Sequence, residues 1–270
     1  MNTKTGQVIL ATGELYPKFE LKPGMMLLGA DSQPHELHSV ETRRVPAFEV
    51  TPQKSESFLI GLDQQILATS KTNEPLLLLA KDYIDLSKNF QKKFCLAKAT
   101  LEFPATELSV DPYLLGMLLG NGLFRSAQIK LATLDFSTNF IPKPYLFSDK
   151  KSHKALFAGL LDTAGHPCFL HYDFLLSSLQ LADDIAFLAR SLGFTVFENR
   201  NPKTRGCTVR LYIHGNFSMI PIRIKRKFST PHAKYFERFS VKPAGIQYIQ
   251  YLNIESYLLG DCTVRIGDRP

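Results

Sequence analysis

The densest run of positive charge in this chain is Arg223, Lys225, Arg226 and Lys227, inside "IPIRIKRKF". Side chains of this kind hold phosphates and other anions through charge-assisted hydrogen bonds. The run is part of a wider imbalance. Residues 111–240 carry 17 Lys and Arg against 9 Asp and Glu, whereas the rest of the chain carries 15 against 16. The net charge of +7 therefore resides in the middle of the chain. A basic segment in a near-neutral host fits a polyanionic partner held by that segment, and it also fits ordinary solubility charge.

Thiol and imidazole chemistry has thinner support. Cys95, Cys168, Cys207 and Cys262 are far apart in sequence and no Cys-x-x-Cys pair occurs. Neither a zinc ribbon nor a disulfide framework is expected, and the four thiols read as packed or bystander groups. His35 and His38 have a ligand-like spacing. They sit in the polar turn "DSQPHELH" with no second pair nearby, so they read as a surface turn. No metal site is expected.

The elements that must position the basic residues begin with an unusual repeat. "YLLGMLLGNG" (113–122) and "ALFAGLLDTAGH" (155–166) each carry small residues at helical spacing and each end in an uncharged residue followed by Gly. Gly116 and Gly120 fall on one face of the first helix; Ala155, Gly159 and Thr163 share a face of the second. Two such stripes pack with their backbones unusually close. That packing brings Asn121 and Ala164 to a common junction at the helix ends. Asp111 is expected to cap the first helix with Pro112 at its first position, and Ser148 or Asp149 to cap the second. "LADDIAFLARSLGF" (181–194) is the clearest helix, with Leu181, Ile185, Leu188 and Leu192 on one face. Asp183 and Asp184 fall in its first turn on this reading, and Gly193 ends it. "FTVFENRNPKTRGCTVRLYIHG" reads as a strand, a basic turn and a return strand, with Val209, Leu211 and Ile213 facing inward and Arg210, Tyr212 and His214 outward. Alternation in "IPIRIKRKF" extends a strand there. Residues 1–104 and the last segment read as short strands with frequent turns, favouring an all-β fold.

On these residues the chain resembles a known family. The two glycine-bearing segments are similar to the paired LAGLIDADG helices of homing endonucleases. "IPKPYLFSDKKSHKALFAGLLDTAGH", "LADDIAFLARSLGF" and "IPIRIKRK" resemble consecutive blocks of the endonuclease domain found in inteins. "GMMLLGADSQPHEL" and "YLLGDCTV" resemble the split halves of an intein's Hint domain. The resemblance implies an α+β chain: an all-β Hint-like part (1–104 and 236–270) interrupted by an α/β endonuclease-like domain (105–235). Only 34 residues, 123–156, separate the two helix motifs, which implies a shortened first half, reduced to one hairpin in "LFRSAQIKLATLDFSTNF".

In that family the sheets form a basic saddle on double-stranded DNA, and an acidic residue near the end of each helix motif binds magnesium. Two carboxylates at adjoining helix C-termini repel each other, so a divalent cation is their natural counter-charge. Here those positions are Asn121 and Ala164, and Asp162 lies about 200° around the helix from Ala164. Metal-dependent cleavage is therefore expected to be lost, with magnesium needed only if nuclease activity persists. Lys225 is the best match to the family's active-site lysine. The splicing positions have also changed. The N-terminal nucleophile falls at Met1, the expected histidine near Gln64, and the terminal His-Asn at Arg265, Ile266 and Gly267.

The DNA-contact candidates are Arg125, Gln128 and Lys130 in the first hairpin, Arg200, Lys203, Arg205 and Arg210 in the second, and Arg223, Lys225 and Lys227 beyond it. The expectation is a free-standing, intein-derived, homing-endonuclease-like DNA-binding protein, a monomer with a pseudo-two-fold helix pair. An active or partner-dependent endonuclease or nickase stays open, as does a protein-interaction scaffold without DNA binding. No apolar run approaches the ~20 residues of a membrane span, and no signal-peptide pattern opens the chain. An intracellular location, cytoplasmic or nuclear, is expected.

Overall fold

The computed structural model describes residues 6–53, 55–70, 74–121, 140–168, 171–200, 208–224 and 238–268. The chain is mixed α and β and divides into two compact units, Met1–Thr100 with Phe236–Pro270, and Leu101–Tyr235. No helix among the described residues is long and apolar enough to cross a membrane.

The first unit is built from short antiparallel pairs. Strands β1 (Gln7–Ile9) and β2 (Leu15–Pro17) pair, as do β3 (Met26–Leu28) and β4 (Pro34–Glu36). The expected turn carrying His35 and His38 is thus the β3–β4 hairpin, where His35 meets Asp31 at 3.0 Å and His38 is exposed. The run 58–70 forms β6 (Phe58–Gly61) and β7 (Gln65–Ser70), which join different sheets. β6 pairs with the long strand β5 (Ser39–Pro52), and β7 with β8 (Pro75–Leu79) and β9 (Phe94–Leu96). Two short helices, α1 (Ala80–Asp85) and α2 (Lys88–Gln91), interrupt the β texture expected over 1–104. Val8, Leu27, Ile60, Ile66, Leu252 and Tyr257 lie in the core of this unit.

The second unit opens with α3 (Pro112–Asn121), where the Asp111 carboxylate accepts from Leu114 N at 3.0 Å. That bond satisfies one orphan donor of the first turn. A short helix α4 (Lys143–Leu146) precedes α5 (Lys150–Thr163), which is capped by Asp149 accepting from Ser152 N at 2.9 Å. Strands β10 (His166–Pro167) and β11 (Tyr172–Leu176) lead to α6 (Leu179–Ser191). This helix starts two residues earlier than its apolar period suggested, because Ser178 caps it through Leu181 N. Asp183 and Asp184 consequently lie past the first turn. Gly193, at φ +88°, supplies the left-handed residue that stops the helix.

Strands β12 (Thr195–Arg200) and β13 (Val209–His214) complete a four-stranded antiparallel sheet in the order β10-β11-β13-β12. Val209, Leu211 and Ile213 are buried, and Arg210, Tyr212 and His214 are half-buried on the opposite face. Tyr172, Phe174 and Leu176 pair across from the buried set, so one face of the sheet is apolar. After β13 no strand is assigned over 220–224. The long strand β14 (Phe239–Asn253) pairs with β5 along its length and belongs to the first unit, with β15 (Ser256–Leu258) and β16 (Val264–Ile266).

Candidate functional site

The small residues of α3 and α5 are needed where the helices meet. A Cβ built on Gly116 would overlap the Leu156 carbonyl oxygen and lie 2.9 Å from Leu160 N. One built on Gly159 would overlap the Tyr113 carbonyl oxygen and lie 2.8 Å from Met117 N. The obstacles are backbone atoms, which cannot rotate away. At the far end, a Cβ on Gly120 would overlap the Thr163 hydroxyl and lie 3.2 Å from Ala164 N. The two C-terminal ends therefore converge, as the stripes required. Thr163 turns its hydroxyl inward to donate to Gly159 O at 2.7 Å.

The end of the second helix carries no ligand, because Ala164 is a methyl group. Asp162 is the adjacent acid, and its carboxylate is fully engaged elsewhere. It accepts from the Tyr113 hydroxyl at 2.8 Å, from Arg223 N at 2.9 Å and from Ile224 N at 3.1 Å. Burial, reinforced by the bond to Asp162, pushes the Tyr113 hydroxyl up to about 12. The Arg223 guanidinium covers the same ring at 3.6 Å, a cation–π stack. Asp162 is thus a knot joining α3, α5 and the segment after β13. It also explains why 220–224 is not the strand that alternation suggested: two of its amides bond to a carboxylate instead of a neighbouring strand. Among the described residues the helix ends offer no carboxylate free to hold magnesium, so the residues present do not fit that ion.

The basic candidates separate by face. Arg200 lies opposite Val209, so it shares the apolar face with α6. There it pairs with Asp183, and with Glu198 at 2.9 Å, while Arg190 reaches Glu198 at 3.0 Å. Arg200, a DNA-contact candidate of the second hairpin, is thereby placed on the face opposite Arg210 and Tyr212. Arg210 is on the open face but is paired with Asp173, which raises the guanidinium's affinity for its proton. Arg125, Gln128, Lys130, Lys203, Arg205, Lys225 and Lys227 lie outside the described residues, as does the side chain of Asn121.

The open face also holds an arrangement that the sequence reading passed over. Cys168, His171 and Asp173 bring one sulfur, one nitrogen and one oxygen within 4.8 Å of each other. His171 and His214 have ring centres 4.9 Å apart, and His171 and Tyr212 5.6 Å apart. Burial, with the nearby Asp173 charge, pushes the Cys168 thiol up. The available signal was Cys-x-x-His-x-Asp over 168–173, which a search confined to Cys-x-x-Cys misses.

In the first unit, Gln64 is buried and meets the C-terminal segment. Its amide oxygen accepts from Gly61 N at 3.0 Å, and its nitrogen donates to Asp268 Oδ2 at 2.9 Å and to Gln250 O at 3.2 Å. Arg265 is buried, donating to Gln65 O at 2.9 Å with its guanidinium over the Phe58 ring. Ile266 is half-buried in β16, and Gly267 donates to Glu255 O at 3.1 Å. Gln64 and the 265–268 segment are therefore brought together, but an amide and a guanidinium cannot exchange protons near neutrality. Met1 lies outside the described residues. Compared with protein-family models and with curated proteins, the chain matches none.

Proposed function

We propose that this chain is a double-stranded-DNA-binding protein on a LAGLIDADG-like paired-helix scaffold within Hint-like flanks, in which DNA cleavage and protein splicing are both lost. One observation carries the reading. Two glycine-bearing helices touch backbone to backbone and finish side by side, with Ala164 at one tip and Asp162 engaged in three hydrogen bonds. A seam of this kind holds two halves at fixed spacing, as a protein clamping a duplex requires. The surplus of cations in 111–240 supplies the attraction to phosphate. Arg200 and Arg210 already have carboxylate partners and Arg223 stacks on Tyr113, so binding falls mainly to Arg125, Gln128, Lys130, Lys203, Arg205, Lys225 and Lys227. Loss of splicing follows from Met1, Gln64 and Arg265, none of which provides a nucleophile or a proton carrier near neutral pH.

The test is anisotropy of a labelled duplex pool across a salt series. Affinity falls with salt along a log–log slope of about −0.9 per phosphate neutralised. Lys203→Gln with Arg205→Gln flattens that slope by about 2. Binding that is absent or indifferent to salt would overturn the reading. Magnesium-dependent cleavage by the native chain would keep DNA binding and remove the claim of lost catalysis.

A further inference from the structure

The β10–β11 hairpin places three different donor atoms at one point. Cys168 N donates to His171 O at 2.8 Å, so these residues face each other. Their side chains share a face, and Asp173, two residues on from His171, shares it too. The register sets His166 opposite Asp173, and Tyr172 opposite Ile213 in β13. His214 thus follows Ile213 into the row beside His171, where the two rings lie 4.9 Å apart.

Asp173 is an unusual member of this group. It is 4% exposed, and its Oδ1 has no hydrogen-bond partner. His171 Nε2 lies 2.8 Å from that oxygen, close enough for an ion pair but without hydrogen-bond alignment. The other oxygen, Oδ2, is held by Arg210. A buried carboxylate oxygen 2.8 Å from an imidazole, with no aligned hydrogen bond of its own, leaves lone-pair capacity for a further partner. The guanidinium fixes the carboxylate from behind, as outer groups orient metal ligands.

We propose that Cys168, His171 and Asp173 bind a zinc ion, with His214 completing the coordination, and that the ion staples the β10–β11 hairpin to β13. The donor set selects the metal. Thiolate with imidazole suits zinc, whereas magnesium and calcium take oxygen donors. The donor atoms lie within 4.8 Å of one another, and small side-chain shifts, including a slight opening of the 2.8 Å contact between His171 and Asp173, reach the ~3.3–3.8 Å separations of a tetrahedral zinc site. Thiolate and carboxylate together balance the two charges of the ion, and the thiol proton leaves to solvent. This staple is independent of the DNA-binding reading.

The experiment uses the full chain stripped of metal with a chelator and then titrated with zinc chloride against a chromophoric competitor. One zinc per chain is expected, with a raised melting temperature. Cobalt chloride in place of zinc should give a thiolate-to-metal charge-transfer band. That band disappears in Cys168→Ser and persists in Cys95→Ser, while Asp173→Asn weakens zinc binding by about 10-fold or more, since losing a ligand costs at least what losing an outer partner does. If the variants do not fold, the native chain still decides: zinc should protect Cys168 from alkylation, read by peptide mass spectrometry. No stoichiometric zinc uptake, a cobalt band unaffected by Cys168→Ser, or Cys168 alkylated equally with and without zinc would each overturn the proposal.

Discussion

Adding one methyl group at Gly159 separates a required glycine from an incidental one. Gly→Ala inside a helix ordinarily stabilises by about 1 kcal/mol, through backbone entropy. At Gly159 the new Cβ would sit less than 3.0 Å from two backbone atoms of α3, the Tyr113 carbonyl oxygen and Met117 N. A carbon normally stays ~3.3 Å or more from a carbonyl oxygen, so the helices must part by roughly 1 Å. A gap of that size forfeits a quarter to a half of the dispersion attraction along the seam. Overpacking of this kind costs about 1–3 kcal/mol. With backbone atoms as the obstacles the cost falls toward the upper end of that range and outweighs the propensity gain, so Gly159→Ala should be less stable than the native chain by up to about 2 kcal/mol. Gly116→Ala meets the Leu156 carbonyl and should behave alike. Because one separation relieves both overlaps, the double variant should lose less than the sum of the two. Two compact units need not unfold together. Native-state hydrogen exchange on peptides spanning 112–121 and 150–163 therefore reads the effect locally, alongside urea melts. A Gly159→Ala chain whose α5 amides are protected as well as the native ones, or better, would refute the close-packed seam.

Two further outcomes follow from the second unit. His153 is fully buried, with Nε2 donating to Leu146 O at 3.0 Å and Nδ1 3.0 Å from the Ser191 hydroxyl, and burial lowers its pKa to about 4. The unfolded chain takes up this proton below its ordinary value of 6.5; the folded chain does so only near 4. Stability is complete above pH 6.5 and falls between 6.5 and 4 by about 3 kcal/mol. Urea melts of the native chain and His153→Asn over that range should differ in slope, and identical slopes would refute the assignment. Asp162→Ala leaves the buried Tyr113 hydroxyl and the amides of Arg223 and Ile224 without their acceptor, so it should cost about 3 kcal/mol. A thermal melt unchanged by this substitution would remove Asp162 from its role as a knot.

The sequence by itself determined features that depend on neighbours a few residues apart. Asp111 and Asp149 cap helices because a short carboxylate reaches the amide three residues on. Val209, Leu211 and Ile213 point inward because side chains alternate along a strand. The glycines of 116 and 159 signalled a close approach because nothing else in an apolar helix favours a residue without a side chain. Only the tertiary structure decided what lies across space. It sent Arg200 to the α6 side of its sheet, where Asp183 and Glu198 offset its charge. It gave β6 and β7 different partners, and it used Asp162 to bond amides that a strand would have bonded. It also set His214 beside His171, although 43 residues separate them. Local patterns fix which way a side chain leaves its own backbone; what it meets there depends on strand register and helix packing, which bring together residues the sequence keeps far apart.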